Sequence, residues 1–254
     1  MHHPAGIAAD PEHCVPFRIW GDDSGVFWAQ KILCLLVGPA ARPDNLSLDT
    51  RLVFAAISYL YVVDGVTLKT LYIVLQWSMT WLCWGVHPDR DHTGRMFSPE
   101  YEPARYARRL TPLAGVYRGI LSDFTGDWKW QVEALVLTRY YGTNACCHLC
   151  RAHKVIARLN CNMHARNSHL RQTIFSEREF RLMLEAQGVD RSALSLIVGF
   201  SRWRCWVDAM HCLDLGVYQY IVYACLMELA EEDGLWAGGS FEVRVAHAYL
   251  DYGS

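Results

Sequence analysis

Several things are missing from this 254-residue sequence. No apolar run reaches the ~20 residues that a membrane-spanning helix needs. The two candidate runs, 52–63 and 71–86, are shorter, with Asp64 and Lys69 interrupting them and Gln76 inside the second. A buried strand and a core helix are expected there, and a membrane partner is not. No basic n-region followed by an apolar h-region opens the chain, so no secretory leader is expected and the thiols should be reduced. No internal repeat or low-complexity segment is visible. The net charge is only −2, which removes any global pull toward nucleic acid. With 52% hydrophobic and 20% charged residues, the composition excludes disorder.

The charge is unevenly spread. Arg139 to Arg181 holds eight Lys/Arg and two Glu, a local +6, which leaves 16 basic and 24 acidic groups elsewhere, a local −8. His148, His153, His164 and His169 fall in the same stretch. A basic face of this kind meets phosphates or is simply a solvated helix face. Of the ten cysteines, Cys34, Cys83 and Cys225 sit in apolar runs and read as core.

The patterning predicts strands first and alternating helices later, an α/β or α+β domain. Short strands are expected at 15–20, ending in a "GDDSG" turn, and at 32–37. A buried β-rich run follows at 52–63. A helix is expected from Thr67, as N-cap, to Gly85, as C-cap, with Leu68, Leu71, Leu75, Met79 and Leu82 at helical spacing and apolar residues on both sides. Residues 87–103 read as loop, 117–127 as strand, 128–142 as helix and 214–234 as a long helix. Residues 176–188 carry a capping box, Ser176 with Glu179, and a closing Gly188. Trp77, Trp81 and Trp84 read as core.

Two constellations carry chemistry. Asp22 and Asp23 close one expected strand, and Asp127 closes another just before a helix. Carboxylates from neighbouring strand ends bind a hard divalent cation, and a third acid allows two ions. The competing reading is that such aspartates only make turns or cap helices. The second constellation is "TNACCHLCRAHK" (143–154), where Cys147 and Cys150 have the spacing that presents two sulfurs to Zn²⁺. The remaining ligands are open among His211, Asp208, Cys212, Cys205, His153, Cys161 and His164. His148, between the thiols, is expected to point away from the ion.

The order of "RIWGDDSG", "LSDFTGDWKW", "CCHLC" and "WVDAMHCLDLG" resembles the RNase H-like transposases of the CACTA (En/Spm) type. The resemblance runs as a thread of motifs through roughly residues 15–230. It implies an α/β, RNase H-like mixed sheet flanked by helices. The implied layout is an N-terminal tail at 1–14, a core at 15–142, a Cys/His-rich basic insertion at 143–205 and a C-terminal helical part at 206–254. It implies Asp22 (or Asp23) and Asp127 as carboxylates holding Mg²⁺ or Mn²⁺, with Asp123 as runner-up and Glu228 or Glu231 on the last helix as the third acid. It implies Cys147 and Cys150 as Zn²⁺ ligands with His211, and Asp208 beside it. Arg151, Lys154, Arg158, Arg166 and Arg171 would face DNA in the nucleus. The chain ends at Ser254, soon after those glutamates, and little precedes Asp22. The expectation is therefore a fragment or degenerate copy: a DNA nuclease and strand transferase, or a zinc-stabilised remnant that binds nucleic acid without catalysis.

Overall fold

The computed structural model describes residues 11–26, 30–40, 51–156 and 173–207, and beyond them 220–222 and 224–225. The chain divides into two compact units, Met1–Trp206 and Val207–Ser254. In the second unit, 220–222 and 224–225 are helical, inside the helix expected at 214–234. The description below concerns the first unit.

Five strands form one sheet: β1 (Cys14–Val26), β2 (Gln30–Pro39), β3 (Leu52–Ser58), β4 (Arg118–Gly126) and β5 (Cys205–Val207). Their order across the sheet is β3-β2-β1-β4-β5. β1 pairs antiparallel with β2, β2 antiparallel with β3, and β1 parallel with β4. The chain is therefore α/β with a mixed sheet. The helices are α1 (Thr67–Trp84), α2 (Pro103–Arg108), α3 (Trp128–Ala134) and α4 (Glu177–Ala186).

Side-chain alternation sets the buried face of the sheet. Leu33 and Leu35 are fully buried while Cys34 and Leu36 between and beside them are only half-buried. Ile19, Leu121 and Phe124 join them from β1 and β4. α1 covers this face with Tyr72, Leu75 and Met79, spaced by three and four residues along one stripe. The Trp77 indole N–H on another side donates to the Arg90 carbonyl at 3.1 Å, so the 86–112 segment covers the second side of the helix. Trp84, expected in the core, is 53% exposed and packs edge-on against the buried Trp81. The helix stops at Gly85, whose φ of 72° is left-handed and whose N–H caps the Trp81 and Leu82 carbonyls. Only glycine adopts this conformation at little cost.

Four expected elements differ in extent. β1 does not stop at Trp20. Antiparallel pairing with β2 carries it through Asp22↔Cys34 and Asp23↔Leu33 to Val26↔Gln30, so the "GDDSG" stretch is strand rather than turn. β3 ends at Ser58, whose hydroxyl accepts from the Leu60 N–H at 3.3 Å and opens a 3-10 turn, Tyr59–Tyr61. α3 ends eight residues before Gly142, because Val136 takes φ 53° and the Leu137 N–H turns back to the Val132 carbonyl. Within the expected 87–103 loop and just beyond it, Pro103 starts α2 at a first-turn position where its missing N–H costs nothing.

The 143–205 stretch shares the core of the first unit. Phe175, Phe180, Leu184, Leu194 and Ile197 belong to the same buried cluster as Ile19 and Phe124. α4 begins as its sequence predicts: the Ser176 side chain accepts from the Glu179 N–H, and the Glu179 carboxylate accepts from the Ser176 N–H. Cys34 and Cys83 are half-buried, with burial as the larger force pushing both thiols up. Cys225 is exposed, against the core reading. Among the described residues no helix is long and apolar enough to cross a membrane.

Candidate active site: the β1 and β4 ends and the cysteine loop

The last pair of the parallel β1–β4 ladder is Gly21↔Gly126. Asp22 and Asp127 each stand one residue beyond it. Asp22 thus lies at the end of the β1–β4 ladder although β1 itself continues. Neither residue of the pair has a side chain, and the space that one would need is already filled. A Cβ on Gly21 would stand inside the Trp130 indole, and one on Gly126 would strike the Gly21 carbonyl. The Trp130 ring, on the first turn of α3, fills the space above both glycines. Gln131 is fully buried beside it and donates through Nε2 to the Trp206 carbonyl at 2.6 Å and the Gly126 carbonyl at 3.3 Å. It ties the end of β4 to β5.

Asp127 is the N-cap of α3, its Oδ1 accepting the Trp130 N–H. A carboxylate offers about four lone-pair positions, so one cap bond leaves room for a cation on the same group. Asp22 is half-buried, and its charge is the second cause, after burial, that raises the Cys34 thiol. The Asp23 backbone pairs with Leu33, while its side chain lies outside the described residues. Asp123, the runner-up, is committed elsewhere. It is ion-paired with Arg18, whose second nitrogen lies at 3.4 Å, and it accepts from the Ser122 hydroxyl at 2.9 Å and the Thr125 hydroxyl at 3.1 Å. Glu228 and Glu231 lie outside the described residues.

The cysteine loop is built around two arginines. Arg139 donates to the carbonyls of Cys147, Cys150 and Ala152 at 3.0 to 3.1 Å. Arg202, only 1% exposed, donates to the carbonyls of His148 and Phe175 at 2.9 and 2.8 Å. Its guanidinium sits 4.3 Å above the centre of the Phe180 ring and meets Glu177 at 3.3 Å. Within the loop the Leu149 N–H points at Cys147 Sγ, 3.4 Å away. The His148 ring, 3% exposed, turns inward against Trp128 at 5.2 Å between centroids. Both its ring nitrogens lack hydrogen-bond partners among the described residues. Burial first, and the Arg202 charge second, lower its pKa to about 4.

Among the described residues no group of three or more His, Cys, Asp or Glu side chains gathers where it would hold a metal ion. The thiols of Cys147 and Cys150 supply half of a tetrahedral zinc set. Asp208, His211, Cys161, His164 and Cys212 lie outside the described residues. His153 accepts the Val155 and Ile156 N–H groups on Nδ1, at 3.2 and 3.3 Å. Cys205 is buried, mainly by which its thiol is pushed up to about 12, so it is a poor thiolate donor. Of the basic residues, Arg151 pairs with Glu179 at 3.7 Å and Lys154 donates to the Tyr141 carbonyl. Arg158, Arg166 and Arg171 lie outside the described residues.

Gly21, Gly126, Arg139 and Arg202 escaped sequence reasoning. The "GD" dipeptides at 21–22 and 126–127 were the available signal, since each glycine precedes an acid that a close strand approach would bring together. No family model matches this sequence, and neither a curated protein nor a solved structure matches it.

Proposed function

We propose that the chain is a transposase-derived, RNase H-like nuclease and strand-transferase core that acts on DNA. The observation that carries this reading is the parallel pairing of Gly21 with Gly126, which delivers Asp22 and Asp127 from adjoining strands of a mixed α/β sheet. Shared cation binding requires acids on adjoining strand ends of this kind. The donor set fits: carboxylate oxygens suit Mg²⁺ or Mn²⁺. When bound, such ions would stabilise the attacking and leaving oxygens of an in-line phosphoryl displacement. The chain's own part is to carry the two acids on adjoining strands, with Asp127 oriented by its cap bond and the Trp130 ring packed over the two glycines that precede them. The third acid that the resemblance implies, Glu228 or Glu231, lies outside the described residues.

The paired thiols of Cys147 and Cys150, in a loop whose backbone carbonyls Arg139 holds, fit half of a Zn²⁺ site; His211 and Asp208, the further ligands the resemblance implies, lie outside the described residues. Zinc there is a structural clip on the basic segment, whose arginines and lysine face the DNA backbone. A nuclear location goes with that partner. The second reading is a zinc-stabilised remnant without catalysis, and the cap bond of Asp127 favours it: the residue has a structural use whether or not it holds a cation.

Two measurements test the reading. Purified protein is expected to hold one zinc per chain, lost in the Cys147→Ser/Cys150→Ser variant. Supercoiled DNA is expected to be nicked in Mg²⁺ or Mn²⁺, and Asp22→Asn or Asp127→Asn is expected to abolish the nicking. Zinc without nicking leaves the remnant. Neither zinc nor nicking removes both readings.

A further inference from the structure

A second site lies apart from the acids, where the end of α1 meets the following loop and α2. A cavity of about 200 Å³ opens there between Trp77, Pro88 and Phe97, with His87, Arg105 and Arg108 also lining it. We propose that it holds one unstacked nucleotide unit, the base against the Trp77 ring and the Arg105 guanidinium and the phosphate on Arg108 and His87.

The walls are fixed before any ligand arrives. The Trp77 ring is anchored by its N–H on the Arg90 carbonyl. Phe97 is buried, and its backbone N–H donates to the Asp89 carbonyl at 3.0 Å. The Arg105 guanidinium lies 5.3 Å from the centre of the Phe97 ring and 3.5 Å from Glu102, two contacts that hold it beside the cavity. His87 is clamped on both backbone sides, its N–H on the Thr111 carbonyl and its own carbonyl taking the Leu110 N–H, each at 2.9 Å.

The charge of the cavity is one-sided. No carboxylate lines it. The nearby acids are used: Asp89 by Arg90, Asp91 by Thr93 and Arg95, and Glu102 by Arg95 and Arg105. Among the described residues, Arg108 and His87 have no side-chain partner. An aromatic wall, a stacked guanidinium and a free guanidinium together match a nucleotide. Bases stack on aromatic rings and on arginine planes, and a guanidinium grips phosphate oxygens through paired N–H bonds. The size narrows the choice. Whole small-molecule sites typically enclose about 300–1,000 Å³, so this cavity suits one ring system belonging to a chain that is held elsewhere as well. In that respect the inference rests on the DNA reading, while recognition of the nucleotide itself does not require catalysis.

The test separates the two. Deoxyadenosine monophosphate, thymidine monophosphate and inorganic phosphate are titrated into the full chain, following the Trp77 indole N–H resonance assigned with Trp77→Phe. A single-stranded oligonucleotide and a blunt duplex are then compared by fluorescence anisotropy. The nucleotides are expected to move that resonance saturably at millimolar concentration, with inorganic phosphate at least tenfold weaker, because it cannot stack. Arg105→Gln and Arg108→Gln, both exposed and checked by circular dichroism, are each expected to weaken nucleotide binding about tenfold, the loss of one charge-assisted contact. Single-stranded DNA binding should fall by a similar factor. Nucleotide binding with no strand binding assigns the pocket to a free nucleotide. An unmoved Trp77 resonance at about 10 mM nucleotide, or equal responses to nucleotide and phosphate, overturns the proposal. So does strand binding that both variants leave unchanged, even if nicking by Asp22 and Asp127 is observed. Failure of nicking with the nucleotide response intact removes the nuclease and leaves the pocket.

Discussion

The Trp130 indole occupies the space that a side chain on Gly21 would need. One aromatic ring from α3 therefore requires a residue without a side chain at the last pair of the β1–β4 ladder, next to the two acids that follow. Gly21→Ala is expected to destabilise the protein by about 3 kcal/mol, the upper range for inserting a methyl into a packed site. Denaturant unfolding of Gly21→Ala, Trp130→Leu and the double variant reads the coupling. The double variant should be less destabilised than the sum of the singles, because a smaller side chain at 130 makes room for the new methyl. Strict additivity would mean that the ring and the new methyl do not compete for the same space.

His148 makes stability depend on pH. The ring is buried and neutral, its pKa lowered to about 4 by burial and by the Arg202 charge, against about 6.5 in the unfolded chain. Between those values the unfolded state binds the extra proton and the folded state does not. Stability contributed by the neutral ring is therefore full above about pH 6.5 and is lost as the pH falls toward 4. The loss is on the order of 3 kcal/mol over that window. Unfolding free energies at pH 7 and pH 5 are expected to differ in the wild type and to converge in His148→Phe. An equal slope in both proteins would place the titration on another group.

How much of this was legible beforehand depends on the range of the forces. α1 and the start of α4 were readable because their signals are local: apolar residues every three or four positions, a glycine stop after Trp84, a serine and glutamate three apart before Phe180. The length of β1 was not, since Asp22 and Asp23 are poor strand formers and only pairing with Cys34 and Leu33 holds them extended. The early end of α3 was hidden too, because Val136 accepts a left-handed conformation that its own chemistry disfavours. The cysteine loop was visible by spacing, but its support came from Arg139 and Arg202, and the separation of 54 positions from His148 to Arg202 put that contact beyond any local pattern.

Asp127 caps α3, and substitution can separate that cap from the cation binding proposed for it. Asparagine caps a helix about as well as aspartate, whereas alanine loses the cap bond. Asp127→Ala is expected to cost about 1 kcal/mol of stability, and Asp127→Asn at most about half of that, the remainder being charge at the helix N-terminus. Both variants should lose cation-dependent nicking, because an amide is a weaker ligand for a hard cation than a carboxylate. Measuring unfolding and nicking on the same preparations decides the role. Nicking that follows stability, retained in the Asn variant and reduced in the Ala variant, would make Asp127 a cap alone.

Arg202 is the largest fully buried side chain among the described residues, and its worth lies in carbonyls rather than in its ion pair. Its partner Glu177 is 54% exposed at the side chain, so water competes for that contact and the pair contributes little. The carbonyls of His148 and Phe175 lie around the buried guanidinium and have no such alternative. Arg202→Met keeps most of the volume and leaves both carbonyls without their donor, at an expected cost of about 3 kcal/mol. Glu177→Gln is expected to cost less than about 1 kcal/mol. Because the His148 carbonyl stands between Cys147 and Cys150, Arg202→Met should also loosen the thiol pair. Zinc release to a chromophoric chelator is therefore expected to be faster in Arg202→Met and unchanged in Glu177→Gln. A large loss of stability in Glu177→Gln, with a small one in Arg202→Met, would reverse the assignment and make the ion pair the stabilising contact.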